Sequence, residues 1–238
     1  MRSFGRGPGR PGKDLVRAGG LCYLPGPIPR ARRPGASHRP CRSDPTVKPE
    51  PISLHTVCGL EELGHHSARG VTHVLSILDP AWPEPEAFGT YDAHHRITLR
   101  FHDIIEPTDG QVLPERRDVE AILRFGEELA AETARRKTHL LIHCHAGISR
   151  STAAMTMLLG QAHPDLDAEA VVAKVHALRE KSWPNARMIA FADEALGYDG
   201  TLTEAVRRLH AEQLRIRPNL VELMRGLGRG REVDAALA

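Results

Sequence analysis

Four short apolar runs, each separated from the next by helical or turn sequence, constrain this chain more than any other feature. Ile52–Cys58 and His95–Phe101 alternate apolar with polar residues, as half-buried strands do, and Val71–Leu78 is a β-branched and more continuously apolar strand. Thr138–His143 is a fourth strand. Gly59–Ala68 reads as a short helix ended by Gly70, Asp79-Pro80 closes the second strand, and Trp82–Pro85 extends a loop. After the loop 102–114, Pro114 opens a long helix in which Val119, Ile122, Phe125 and Leu129 recur at helical spacing. The fourth strand turns through Cys144–Arg150 into a helix over Ser151–Ala162. Further helices are predicted over Ala168–Glu180, Arg187–Leu196 and 201–214. Strands alternating with helices and ending in a helical cluster predict an α/β sandwich around a mostly parallel sheet.

Charge divides the chain. Its 238 residues carry 32 Lys+Arg against 30 Asp+Glu, but the first 50 hold 11 basic and 3 acidic side chains, which leaves 21 and 27 for the remainder. Those 50 residues also hold 9 of the 18 Pro, so residues 1–50 are expected to be a disordered basic Pro/Gly-rich arm. Its sparse aromatics, Phe4 and Tyr23, give little reason to expect nucleic-acid binding. Residues 51–214 form the expected folded domain, and 215–238, with Gly226, Gly228 and Gly230, are expected to fray. The composition excludes collagen, a long coiled coil and a disulfide-rich miniprotein. No apolar run approaches the roughly 18–20 residues of a membrane span, and the four cysteines (Cys22, Cys41, Cys58, Cys144) lack repeated spacing. A soluble cytoplasmic protein with reduced thiols is the expectation.

The segment Ile142-His-Cys-His-Ala-Gly-Ile-Ser-Arg-Ser-Thr152 carries the chemistry. A cysteine ending a parallel strand sits at the carboxyl edge of the sheet, where open α/β folds bind ligands. Residues wrapping from there into a helix start turn their amides inward as an anion-binding nest, to which the helix dipole adds positive potential. Gly147 permits the tight backbone. Arg150 supplies a planar fork for two phosphate oxygens. The field that holds a dianion also favours a thiolate, and a thiolate beneath a phosphate is a nucleophile for phosphoryl transfer.

His-Cys-x-x-Gly-x-Ser-Arg-Ser-Thr between a buried strand and the apolar helix of Ala153, Ala154, Met155, Met157 and Leu158 resembles the phosphate-binding loop of cysteine-dependent protein tyrosine and dual-specificity phosphatases. The likeness spans roughly residues 52–198. Leu78-Asp79-Pro80 and Phe101–Ile104 look most like elements of small bacterial predicted tyrosine phosphatases, and Pro184-Asn185 looks like a helix start of dual-specificity enzymes. The resemblance implies the protein tyrosine phosphatase fold and two-step hydrolysis of phosphotyrosine alone, or of phosphoserine and phosphothreonine as well. By that resemblance Cys144 attacks phosphorus, Arg150 and the amides of His145, Ala146, Gly147, Ile148, Ser149 and Arg150 hold the phosphate, Ser151 stabilises the departing thiolate, and His143 orders the loop. The implied partner is a phosphorylated protein, with neither metal nor cofactor and with no membrane. The loop residues carry no lysine, which speaks against a phosphoinositide substrate.

The same resemblance implies a general acid, an Asp on a separate loop. Asp103, directly after the third strand, is favoured over Asp109, whose Thr-Asp-Gly setting is good turn chemistry, and over the weaker Glu106. Asp79 reads as a turn residue. His139, His143 and His145 flank Cys144, but no second Cys/His pair completes a metal site. Cys58 reads as a small buried residue rather than a redox partner of Cys144. Two other readings stand beside the enzyme: a catalytically inactive phosphate-binding module and a rhodanese-like sulfur transferase.

Overall fold

The structure, a computed structural model, describes residues 54–238. The basic arm of 1–50, with Cys22, Cys41 and the strand start at Ile52, lies outside the described residues. Four strands, β1 (Leu54–Cys58), β2 (His73–Leu78), β3 (His95–Arg100) and β4 (His139–His143), form one sheet in the order β1-β4-β2-β3. Every pairing is parallel. The hydrophobic pattern explains the order. The continuously apolar β2 and β4 are buried along their whole length at the sheet centre, and the alternating β1 and β3 take the edges, where some side chains stay accessible.

Helices α1 (Arg116–Thr133), α2 (Arg150–Ala162), α3 (Ala168–Leu178), α4 (Ala186–Leu196) and α5 (Thr201–Ile216) share one core with the sheet. α2 has the most central place; eleven of its residues, Arg150–Gly160, are buried. A second cluster of Leu63, Val71, Val74, Phe88 and Leu141 covers the other side with two 3-10 segments, Leu60–Arg69 and Glu86–Thr90. Gly70 (φ +64) ends the first where the sequence places its stop, and the second begins directly after the expected loop of Trp82–Pro85. Because all strands run the same way, Cys58, Asp79, Phe101 and Cys144 arrive together at the carboxyl edge of the sheet.

The expectation for 215–238 needs correction. α5 runs to Ile216, and α6 (Leu220–Gly226) and α7 (Gly230–Leu237) follow. They pack through Met224, Val233 and Ala236 onto Trp183 and Leu214. The glycines that suggested fraying make the turn between these helices, with Gly228 at φ +73. No helix among the described residues is long and apolar enough to cross a membrane.

Candidate active site

β4 delivers Cys144 to the sheet edge, and residues 145–149 wrap from it into the start of α2. Every carbonyl of that wrap is held by the scaffold around it. Leu60 N donates to His145 O (2.9 Å), Arg179 Nη2 to Ala146 O (3.1 Å), Arg179 Nε to Gly147 O (3.0 Å), and Trp183 N to Ile148 O (2.9 Å). Ser149 O accepts from Ala153 N (2.9 Å). With the carbonyls turned outward, the amides of 145–150 donate no hydrogen bond to a protein acceptor among the described residues. Consecutive unpaired N–H groups at a helix start form an anion nest. Gly147 makes the wrap possible. Its φ is +68, and a Cβ there would lie 2.4 Å from the Cys58 backbone carbon and 2.5 Å from Gly59 N.

Cys144 is only 2% exposed, and its Sγ lies 3.2 Å from Ser151 Oγ. The Arg150 guanidinium is buried above α2. Its Nη1 donates to Asp79 Oδ1 (2.7 Å) and Phe101 O (2.6 Å), and its Nε has no protein partner. Fixing one corner of the fork leaves the Nε edge as an uncompensated donor, which is costly unless a ligand accepts from it. Asp79 is therefore more than a turn residue: it holds the arginine. Its own N–H donates to His145 Nε2 (3.2 Å). That nitrogen accepts and carries no proton, so the 3.6 Å approach of His145 to the Asp79 carboxylate is not an ion pair. Burial, then Arg150, pushes the His145 pKa down, in accord with a neutral ring. Trp82 meets His145 edge-on, 4.4 Å between centroids.

His143 lies beneath the loop, fully buried, with Nε2 2.6 Å from Ser76 Oγ. Burial pushes its pKa down to about 4, against a smaller pull from the Cys144 backbone, so the ring is neutral. His139 faces elsewhere, toward Thr56 Oγ1 (2.8 Å) and the Arg69 carbonyl (3.1 Å). The three histidines thus serve three different sets of partners. Cys58 is buried, and its thiol is pushed up to about 12, first by burial and then by Glu62. It packs as a small buried residue whose backbone touches Gly147.

Of the acid candidates, Asp103 reaches the loop. Its Oδ1 accepts from Ser149 Oγ (2.7 Å), Asn185 Nδ2 (3.0 Å) and Arg229 Nη1 (3.0 Å). Asp109 is exposed in a turn closed by Gln111 N to Thr108 O (3.0 Å), and Glu106 pairs with Arg231 at 3.1 Å. Asp103, Cys144 and Arg150 line one cavity of about 320 Å³, whose outer wall is Leu220, Leu223, Met224 and Leu227 from the α6 region. Residue patterns missed Arg179, Glu62, Arg229 and that α6 wall. Each is held or placed by contacts between distant segments, and none carries a local signal.

No protein-family model matches the chain, and no curated protein matches it. Among the solved structures that align are phosphatases and phosphatase-like proteins. Human DUSP28 aligns at 16% identity over 61% of this chain and 94% of its own, with a TM-score of 0.45. DUSP15 aligns at 17% over 66% and 93%, with a TM-score of 0.46. The Yvh1 phosphatase domain from Chaetomium thermophilum aligns at 21% over 62% and 93%, with a TM-score of 0.40. They lend no support to a special nearness to bacterial enzymes. At this level of likeness, the chemistry of the site rests on its own geometry.

Proposed function

We propose that this chain is a cysteine-dependent phosphomonoester hydrolase that removes phosphate from phosphotyrosine in proteins. The observation that carries the reading is the nest: five scaffold-held carbonyls, six amides that donate to no protein acceptor among the described residues, and a buried thiol at the strand end from which the loop starts. In the first step Cys144 Sγ attacks phosphorus, the S–P bond forms and the ester P–O bond breaks, with Asp103 giving its proton to the leaving oxygen. The nest amides and Arg150 hold the equatorial oxygens as charge builds there. In the second step Asp103 takes a proton from water, the water oxygen bonds to phosphorus, and the S–P bond breaks. The departing thiolate accepts a hydrogen bond from Ser151 Oγ, already 3.2 Å away.

Depth and wall chemistry favour tyrosine. A thiol 2% exposed behind an apolar wall of α6 suits a phosphate at the end of a long aryl stem better than one on the short stem of serine. A phosphate-binding module without turnover would not need the Ser151 hydroxyl beside the thiol or a carboxylate in the cavity.

The deciding assay is vanadate-sensitive hydrolysis of phosphotyrosine peptide and aryl phosphate without added metal. Cys144→Ser is expected to lower turnover by at least about 10³-fold while still binding phosphopeptide. Turnover unchanged in that variant removes the nucleophile assignment. Binding without turnover in the wild type makes the chain a recognition module.

A further inference from the structure

Arg229 sits between α6 and α7, in the stretch whose composition reads as a loose tail, yet it is 2% exposed. It pairs with Glu232 Oε1 (2.6 Å), and that carboxylate is itself buried. Glu232 also accepts from Trp183 Nε1 (2.7 Å) and from Ala186 N (2.8 Å) at the start of α4. The pair therefore fastens α7 to the Trp183-Pro184-Asn185 segment. A buried Arg–Glu pair is by itself a poor means of stabilisation, since apolar residues of similar volume do as well or better. Arg229, however, extends past Glu232 toward the catalytic loop. Its Nη1 reaches both Asp103 Oδ1 (3.0 Å) and Ser149 Oγ (3.1 Å).

Three donors from three segments thus converge on one oxygen of Asp103: Ser149 of the phosphate loop, Asn185 before α4 and Arg229 of the C-terminal segment. Oδ2 accepts no hydrogen bond from protein among the described residues. A carboxyl gripped in this way cannot exchange its two oxygens, and the one left over is the one that can carry a transferable proton. We infer that Arg229 is a positioning residue for the proton-transfer step: through Oδ1 it fixes the Asp103 carboxyl so that Oδ2 faces the substrate oxygen, making the C-terminal helices part of the catalytic apparatus. The inference rests on the phosphatase reading of the same site.

The test compares kcat/KM, which covers the steps through P–O cleavage, for phenyl phosphate and for 2,4-dinitrophenyl phosphate. The first leaving group needs a proton and the second hardly does. In the full-length protein Arg229→Gln is expected to cost roughly 10–100-fold on phenyl phosphate and less than about 3-fold on the activated ester. The double variant with Asp103→Asn should be no slower than Asp103→Asn alone, because the two residues act as one unit. Arg229→Lys, which keeps the charge within reach of Oδ1, should recover part of the loss on phenyl phosphate. It also serves as the deciding variant if Arg229→Gln does not fold. Equal losses on both esters, or additive losses in the double variant, reduce Arg229 to a structural residue and overturn the inference. Wild-type protein without Cys144-dependent turnover overturns the phosphatase reading itself, an outcome visible before any Arg229 variant is made.

Discussion

The two halves of the site are built in opposite ways. The phosphate side is one unbroken stretch, Cys144–Arg150, whose backbone path follows a strand end, a glycine and a helix start and is braced from outside by Leu60, Arg179 and Trp183. The acid side is an assembly: Asp103, Ser149, Asn185 and Arg229 meet from four places in the chain, with 126 residues separating the outermost pair. A contiguous loop can be specified locally and damaged by one local change. A converging assembly depends on how α4, α6 and α7 dock, so distant changes should reach it. On the proposed phosphatase reading the difference also separates the chemistry: damage to the cradle should slow every substrate, and damage to the assembly should slow the substrates that need a proton.

Gly147 gives the largest expected effect and the hardest test of the contiguous half. Alanine there combines a left-handed backbone angle with a Cβ 2.4 Å from main-chain carbon of Cys58, which has no flexible end to move aside. The wrap must open, and the amides lose their convergence. Gly147→Ala should lower kcat/KM by about 10³-fold or more on both phenyl and dinitrophenyl phosphate, the order expected when several oxyanion donors are lost together. A loss confined to the poor leaving group would mean that the cradle and the acid assembly are not separable.

The contrast also explains what the amino-acid sequence discloses. The cradle was legible because its parts are consecutive and each residue type has a local job: Cys144 at a strand end, Gly147 where φ must be positive, Arg150 one helical step on. The sheet was legible for a similar reason, since burial on one face or two leaves alternating or continuous apolar runs in β1, β3 and in β2, β4. Arg229 and Glu232 were not. A charged residue reads as solvated unless its partner is known, and here the partners are Asp103, Trp183 and Ala186. Gly226, Gly228 and Gly230 disguised two helices as a fraying end. Asp79 looked like a turn former because it is one, its carbonyl accepting from Trp82 N at 3.0 Å, and only the fold brings Arg150 to its carboxylate.

Each half rests on a buried neutral histidine, and acid should therefore loosen both. His143 beneath the cradle is pushed down to about 4 by burial. His210, stacked on Trp183 at 4.1 Å and bonded through Nε2 to Pro184 O (3.0 Å), is pushed down to about 3 by burial and then Arg229. Above the unfolded value of 6.5 both states are neutral and neither ring affects stability. Below it the unfolded chain binds protons that the fold refuses, so stability falls as pH falls and the loss levels off only below the folded values. Between pH 6.5 and 5 each ring should contribute about 2 kcal/mol of that loss. Urea midpoints measured across this window should flatten by similar amounts in His143→Asn and His210→Asn. Flattening in only one would assign acid sensitivity to one half of the site.

The smallest expected effect comes from the clamp that holds the cradle from outside. Arg179 donates Nη1 and Nη2 to the two oxygens of Glu62 (2.8 Å each) while its Nε and Nη2 hold the Gly147 and Ala146 carbonyls. The Glu62 carboxylate is held below its usual range chiefly by that arginine and accepts from Gly59 N at 2.6 Å, so it ties the first 3-10 segment to the loop. Lysine cannot reproduce a fork that serves two carbonyls and a carboxylate at once. Arg179→Lys should lower kcat/KM by roughly tenfold. The pair is partly exposed and other donors still hold the remaining carbonyls, so the fold itself should survive. Because Arg179 touches the cradle and not Asp103, the loss should be the same for phenyl and dinitrophenyl phosphate, the opposite of the pattern expected for Arg229→Gln. If Arg179→Lys instead discriminates between the two esters, strain in the loop reaches Asp103 through Ser149, and the cradle and the acid assembly are one mechanical unit.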